Sequence, residues 1–341
     1  MKNVVGMKRL LAALLGIGLL AAGACAPRLQ PPGDMAVPPA FMPAADSWQA
    51  SDGRVLPLRR WLPEGKPAAV VLAVHGFNDY SNAFTEPGEW WAKRGIATYA
   101  PDQRGFGQSA FRGFWPGQTR MTRDIVELSR SLRQRHPDTP LFWLGESMGG
   151  AVTLVALEEG DVRPDGLVLV APAVWGRESM PWYYSATLWV AAHTIPWKTF
   201  TGSGLKIQAS DNIEMLRRLS RDPLFIKATR VDTIYGLVDL MDRSAKTRPR
   251  GLPLLLLYGA KDEVIPKQPV EKYVAALKAD PGVDMRVAIY ADGWHMLLRD
   301  LQAEVVWRDI AAWLGDRKAR LPSGAERRDL PLFPDEKELP K

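Results

Sequence analysis

The sequence predicts an α/β fold: a mainly parallel sheet with helices on both faces. Three observations carry that expectation. Ala68 to Val74 and Leu252 to Tyr258 are uninterrupted apolar runs, as in strands buried on both sides. Segments of helical period alternate with such runs, the clearest being Met121, Ile125, Leu128 and Leu132. The run Leu141 to Gly150 passes from an apolar strand through Gly145-Glu146-Ser147-Met148-Gly149 into a helix, an arrangement that places a serine on a tight, strained turn. With 341 residues, 46% of them hydrophobic, the chain can bury a sizeable core.

The first 24 residues read as a signal peptide, with Lys8 and Arg9 before an apolar run from Leu10 to Ala24. A membrane span needs about 20 apolar residues, so this run is short for one. It ends Leu19-Leu20-Ala21-Ala22-Gly23-Ala24 before Cys25, the only cysteine, which excludes an intramolecular disulfide. That stretch resembles the lipobox of bacterial lipoproteins, with Ala22 where leucine is usual, and implies lipidation of Cys25 and an exported, membrane-anchored protein, periplasmic-facing or on the outer membrane. An ordinary secretory signal cleaved after Ala24, giving a secreted or periplasmic protein, and an uncleaved anchor are the alternatives. The formal charge of +6 falls to +3 when Lys2, Lys8 and Arg9 leave with the signal (6 − 3). So modest a charge, with no basic stripe, excludes nucleic acid as a partner.

Residues 25–46 hold Pro27, Pro31, Pro32, Pro38, Pro39 and Pro43 and read as a proline-rich tether, the folded part starting near Trp48. Strands are expected at Val55 to Trp61, Ala68 to Val74, Ala97 to Ala100, 141–145, Gly166 to Ala171, Leu252 to Tyr258 and Asp284 to Ile289. Helices are expected at Ala83 to Arg94, around Met121 to Leu132, Gly149 to Glu158, Lys267 to Leu277 and Ala303 to Leu314. The alternation breaks at 173–250, an insertion in a core of 47–172 and 251–320. Residues 321–341, with four prolines and mixed charge, read as a disordered tail.

Serine is a poor nucleophile without a base, and the base needs an orienting carboxylate. Of the four histidines, His75 ends a strand, His136 sits at a helix end, and His193 lies in the insertion. His295 follows the last strand on a short loop, where a base reaches the carboxyl edge of a parallel sheet. Asp262 lies in the turn after the Leu254 to Leu257 strand and is the preferred orienter, with Glu263 a neighbouring competitor. The N–H groups of Phe77 and Met148 are the candidate oxyanion donors, with His75 and Gly76 shaping the loop. Asp102 and Arg104 read as a hydrogen-bonded ion pair supporting the next loop. No metal or cofactor is called for; a zinc ligand cluster is not apparent.

His75-Gly76, Asp102 to Ser109, Gly145 to Gly150, Tyr258 to Asp262 and Trp294 to Leu298, in that order, identify a resemblance to the α/β-hydrolases, nearest the monoacylglycerol lipase and lysophospholipase group. The chain order Ser147, Asp262, His295 is the one found in that fold. Gln103 and the loop Phe77 to Tyr80 depart from the group's usual pattern. The resemblance implies an α/β-hydrolase fold with an eight-stranded type of sheet, a mostly helical cap at 173–250, and hydrolysis of acyl esters such as monoacylglycerols or lysophospholipids. Amidase, peptidase or acyltransferase chemistry, or a silent binding module, are the competing readings. Epoxide and haloalkane hydrolases resemble this group but carry aspartate at the elbow. Of Trp175, Trp182, Tyr183, Tyr184, Trp189, Trp197, Phe200, Phe225 and Tyr235, most are expected in the core of the cap and a subset along an acyl pocket. Met180 to Ile195 is expected to carry an apolar face able to touch a membrane surface.

Overall fold

The computed structural model describes residues 26–42, 46–159, 162–202, 204 and 206–333. Residues 1–24, read as a signal peptide, Cys25, the expected lipidation position, and residues 334–341 lie outside these. In chain order the strands are β1 Ala40–Phe41, β2 Ser47–Gln49, β3 Val55–Trp61, β4 Ala69–Val74, β5 Ile96–Pro101, β6 Leu141–Glu146, β7 Gly166–Val170, β8 Thr199–Thr201, β9 Ala228–Arg230, β10 Pro253–Gly259, β11 Asp284–Tyr290 and β12 Glu326–Arg327. The helices are α1 Thr85–Ala92, α2 Gln118–Arg135, α3 Met148–Ala156, α4 Trp182–Thr194, α5 Ile213–Arg221, α6 Val231–Ser244, α7 Lys267–Lys278 and α8 Ala303–Gly315.

Ten strands form one sheet in the order β1-β2-β3-β5-β4-β6-β7-β10-β11-β12. The six from β5 to β11 run parallel, and the antiparallel pairs lie towards the two edges. Side chains alternate between two cores, as the two-residue period requires. Val70, Leu72 and Val74 of β4 pack with Ile125 and Leu128 of α2, Leu154 of α3 and Val274 of α7. Ala69, Val71 and Ala73 meet Trp91 of α1 and Ile310 and Trp313 of α8 on the other face. The fold is thus the α/β-hydrolase arrangement, with the carboxyl ends of the parallel strands on one edge.

Both chain ends differ from the expected tether and tail. Residues 26–42 lie against the domain: Gln30 N–H donates to the Trp115 carbonyl at 2.9 Å, Val37 N–H to Ser51 at 2.9 Å, and β1 extends the sheet beside β2. Proline count misleads here, because a proline-rich segment can lie along an edge whose carbonyls and carboxylates accept from its remaining N–H groups. Asp52 is the chief of these acceptors, receiving Gly33 N–H at 2.8 Å. At the other end, β12 pairs antiparallel with β11, Leu321 and Leu332 are buried, and Phe333 packs on the Tyr258 ring. Residues 321–333 are therefore ordered, since two well-spaced apolar side chains find slots in the core.

Arg104 also differs from expectation. Its guanidinium makes two forked pairs, to Asp124 at 2.5 and 2.8 Å and to Asp52 at 2.8 and 2.8 Å, and does not pair with Asp102. The Asp102 carboxylate instead accepts the Ser81 and Gln108 N–H groups at 3.0 and 2.8 Å. One buried cation thus joins α2, the loop after β5 and the docked N-terminal segment.

The insertion contains α4, α5, α6 and a small antiparallel pair, β8 with β9, that the sequence did not signal. Helix α6 packs on α3. The aromatic residues do not form a core for it: Trp182, Tyr183, Tyr184, Trp189, Trp197 and Phe200 are each at least half exposed, because among the described residues no second layer covers α4.

Replacing Arg104 by alanine leaves Asp124 buried without its counter-charge and Asp52 with only the more distant Arg120, at 3.7 Å. The expected loss of stability is about 3–5 kcal/mol, read as a lower urea midpoint at unchanged slope; a midpoint within error of wild type would contradict the clamp.

Candidate active site

Ser147 follows β6 with φ +54° and ψ −116°, a backbone conformation that a side chain seldom adopts. The turn closes because the residues two before and two after Ser147, Gly145 and Gly149, lack Cβ atoms. A Cβ on Gly149 would stand 1.9 Å from the Val74 carbonyl oxygen, and one on Gly145 would stand 2.4 Å from the Gly149 carbonyl oxygen. The Ser147 N–H is satisfied by the Val170 carbonyl at 2.9 Å, and its carbonyl accepts Ala173 N–H at 3.0 Å. Helix α3 starts at Met148, so its unpaired N–H groups face the serine end of the turn.

His295 and Asp262 come together from separate loops. His295 Nδ1 lies 2.8 Å from Asp262 Oδ2, and the second oxygen, Oδ1, accepts the Val264 and Ile265 N–H groups at 2.7 and 2.9 Å. Three bonds thus fix the carboxylate and leave His295 Nε2 as the free nitrogen. Glu263 is exposed and takes the Gln208 N–H at 2.7 Å, facing the insertion instead. His136 hydrogen-bonds Tyr99 Oη at 2.9 Å, and His193 stacks on Trp189.

Gly76 lies against the nucleophile: its Cβ position is 3.4 Å from Ser147 Cβ and 4.0 Å from Oγ. Phe77 follows directly. His75 holds this loop from beneath. Its Nε2 accepts the Gln103 N–H at 3.0 Å, so the ring proton sits on Nδ1 and is donated to the Gly76 carbonyl at 2.8 Å. Full burial, more than anything else, lowers the His75 pKa and keeps it neutral. The Gln103 side chain adds a bond to the His75 carbonyl at 2.8 Å, so a residue that departs from the usual pattern completes the support.

A second buried network, which sequence reasoning missed, underlies the site. Arg299 donates to Asp79 at 2.5 Å and lies 3.6 Å from Glu146, the residue before Ser147. Asp79 closes the turn begun at Gly76, and Arg299 is four residues after His295, so one cation joins the loop after β4, the end of β6 and the loop that bears His295. Burial raises the Glu146 pKa, against the opposing charge of Arg299. The available signal was a charged residue a few positions from each motif in otherwise apolar stretches.

The insertion is bonded to the same loops. Ile226 N–H donates to the Asn78 carbonyl at 2.9 Å, Asn78 Nδ2 to Thr229 at 2.8 Å, and Tyr80 Oη to Asp222 at 2.7 Å. On the histidine side, Met296 N–H donates to the Ala209 carbonyl at 2.9 Å and Ser210 Oγ to Asp300 at 2.6 Å.

Residues 65–302 match the family described as serine aminopeptidase S33. The chain is 25% identical over 281 residues to the monoglyceride lipase of Rattus norvegicus, covering 79% of this chain and 89% of that protein. It is 23% identical over 275 residues to a monoacylglycerol lipase of Mycolicibacterium smegmatis, covering 74% and 90%. A soluble variant of monoglyceride lipase from Saccharomyces cerevisiae, solved with a substrate analogue, superposes with a TM-score of 0.67 at 18% identity, over 86% of this chain and 98% of that one.

Burial by itself would lower the His295 pKa, but the charge and hydrogen bond of Asp262, with Glu146 adding to them, outweigh it and leave the imidazole above its ordinary value. The protonated form therefore persists to higher pH. An NMR titration is expected to place the His295 midpoint above the ordinary histidine value of about 6.5, and Asp262→Asn to move it down. A midpoint unmoved by that substitution would contradict the pairing.

Proposed function

The chain belongs to the serine aminopeptidase S33 family of α/β-hydrolases and is a serine hydrolase, and from that premise we propose that it cleaves acyl esters of single-chain lipids, monoacylglycerols or lysophospholipids, through Ser147, His295 and Asp262. The observation that carries the reading is the 2.8 Å His295–Asp262 bond on loops bordering a serine held at positive φ. Relatives named as monoglyceride or monoacylglycerol lipases support the substrate class.

In this reading His295 Nε2 removes the Ser147 proton as Oγ attacks the ester carbonyl. Asp262 holds the imidazole with its proton on Nδ1 and stabilises the imidazolium. The carbonyl oxygen becomes an anion beside the Phe77 and Met148 N–H groups, the latter at the positive end of α3. Collapse expels the alcohol, which takes the proton from His295 and leaves an acyl-serine. Water, deprotonated by His295, then attacks the acyl carbonyl, and collapse of this second intermediate frees the fatty acid as the His295 imidazolium returns its proton to Ser147 Oγ. His75, Gly76, Gln103 and the Arg299 network hold the donors in place without entering the proton transfers. Residues 173–250 act as a cap over the site, bonded to both catalytic loops.

The same reading makes the protein an exported lipoprotein held to a membrane through Cys25. The basic start, the apolar run and the small residues before that cysteine support it.

Ser147→Ala is expected to lower kcat by about 10⁶-fold and to abolish labelling by a fluorophosphonate probe. Unlabelled wild type, or equal labelling of the variant, would overturn the serine mechanism. Across esters of increasing acyl length on glycerol and lysophospholipid heads, kcat/KM is expected to rise with chain length. A strict preference for acetyl esters, or for the amino-terminal amides that the family description names, would overturn the lipid reading. Incorporated palmitate is expected to disappear in Cys25→Ser.

A further inference from the structure

Gln208 to Asn212, the stretch of the insertion just before α5, bonds at each of five consecutive residues to the loops that carry Asp262 and His295. Gln208 N–H donates to Glu263, beside Asp262, at 2.7 Å. The Ala209 carbonyl accepts the Met296 N–H at 2.9 Å, and Ser210 Oγ donates to Asp300 Oδ1 at 2.6 Å. Asp211 Oδ1 accepts the Leu301 N–H at 2.9 Å, and Asn212 Nδ2 donates to the Arg299 carbonyl at 3.0 Å. A stretch that only connected two elements over the surface would leave such groups to water.

These bonds bracket the histidine. Met296, the residue after His295, is held directly by Ala209. Trp294, the residue before it, is held through Asp300: the Trp294 N–H donates to Asp300 Oδ2 at 2.7 Å, while Oδ1 takes the Ser210 hydroxyl. Ser210 and Asp300 are both buried, where water does not replace a lost bond. Ser210 is itself fixed, since its Oγ also accepts the Asn212 N–H at 3.1 Å, and Asn212 Oδ1 caps α5 by accepting the Met215 N–H at 3.1 Å. The imidazole has its own partner in Asp262, so Asp300 acts on the backbone that carries His295 and not on the ring. The same stretch holds Arg299, whose guanidinium reaches Asp79 and Glu146.

We propose that residues 208–212 position the general base, with Ser210 and Asp300 as the positioning residues, so that His295 faces Ser147 only while this stretch of the insertion is seated on its loop. The inference rests on the reading of His295 as the base. It gives the insertion a part in proton transfer besides covering the site: a displacement of residues 208–212 withdraws Trp294 and Met296 from their partners and takes the imidazole out of line. A small misplacement of a reacting group is enough to slow the chemistry without weakening substrate binding.

A double-mutant cycle on a short soluble ester, p-nitrophenyl butyrate, tests this. Ser210→Ala is expected to lower kcat about tenfold with KM within about twofold of wild type. His295→Ala retains a residual hydrolysis that no longer depends on the base. In that background Ser210→Ala is expected to cost less than about twofold, because a residue acting through His295 has nothing left to position. An equal fold-loss in both backgrounds overturns the proposal and makes the stretch a general support of the fold. An unchanged kcat overturns it too, as does an effect on KM alone, which assigns the stretch to substrate binding. If Ser210→Ala does not fold, Asp300→Asn, which keeps the side-chain shape, runs the same cycle with the same expectations. His295→Ala as active as wild type overturns the reading of His295 as base, and the inference with it. A large loss in His295→Ala beside no loss in Ser210→Ala overturns the inference alone.

Discussion

Ser147 occupies a backbone conformation that is open to a side chain only when its surroundings over-determine it. Here they do so through close backbone approach: Gly149 lies under the Val74 carbonyl, and Gly145 lies under Gly149. Strand β6 can then reverse into α3 within one residue, which puts Oγ at the carboxyl edge of the sheet and the start of α3 beside it. The same contact draws in the end of β4, and with it Gly76 and Phe77. Once those glycines permit the turn, the position of the candidate oxyanion loop follows.

Two buried arginines hold the loops around that turn. Arg299 joins Asp79 and Glu146, tying the loop after β4 and the serine strand to the loop that bears His295. Arg104 joins Asp52 and Asp124, tying the loop after β5 to α2 and to the docked N-terminal segment. In each case a guanidinium offers several donors in a fixed plane, so one side chain can set the distance between separate pieces of chain. Neither touches Ser147. Their effect reaches the site as geometry, and Arg299 and Glu146 also act on His295 as opposing charges.

The insertion meets the site through main-chain bonds, Ile226 to Asn78 on one side and Met296 to Ala209 on the other, and through side-chain bonds of Asn78 with Thr229, Tyr80 with Asp222 and Ser210 with Asp300. None of these bonds uses an aromatic side chain of residues 182–200, so the aromatic content there is free to follow other demands. That freedom accounts for an insertion whose attachment is tight while its outer surface is apolar and exposed.

Much of this was legible in the sequence, because local rules decide it. Valine and leucine runs give central strands, the Met121 to Leu132 period gives α2, and the glycines around Ser147 give the turn. His295 stood out by following the last strand, and Asp262 by its turn, although only the fold separates it from Glu263. What the sequence could not supply depends on partners distant along the chain. Arg104 lies next but one to Asp102 yet pairs with residues 52 and 124. Arg299 finds Asp79 across 220 positions. The proline-rich start and the charged end look disordered by composition, and each is ordered by a few slots and acceptors that exist only on the assembled sheet. The aromatic residues of the insertion look like core by type and are surface by placement. Sequence by itself determined the central strands, the helices that flank them and the strained serine, since those follow from neighbours along the chain. Tertiary structure alone decided which charges meet and which apolar faces stay uncovered, since burial and pairing are properties of the whole packed arrangement.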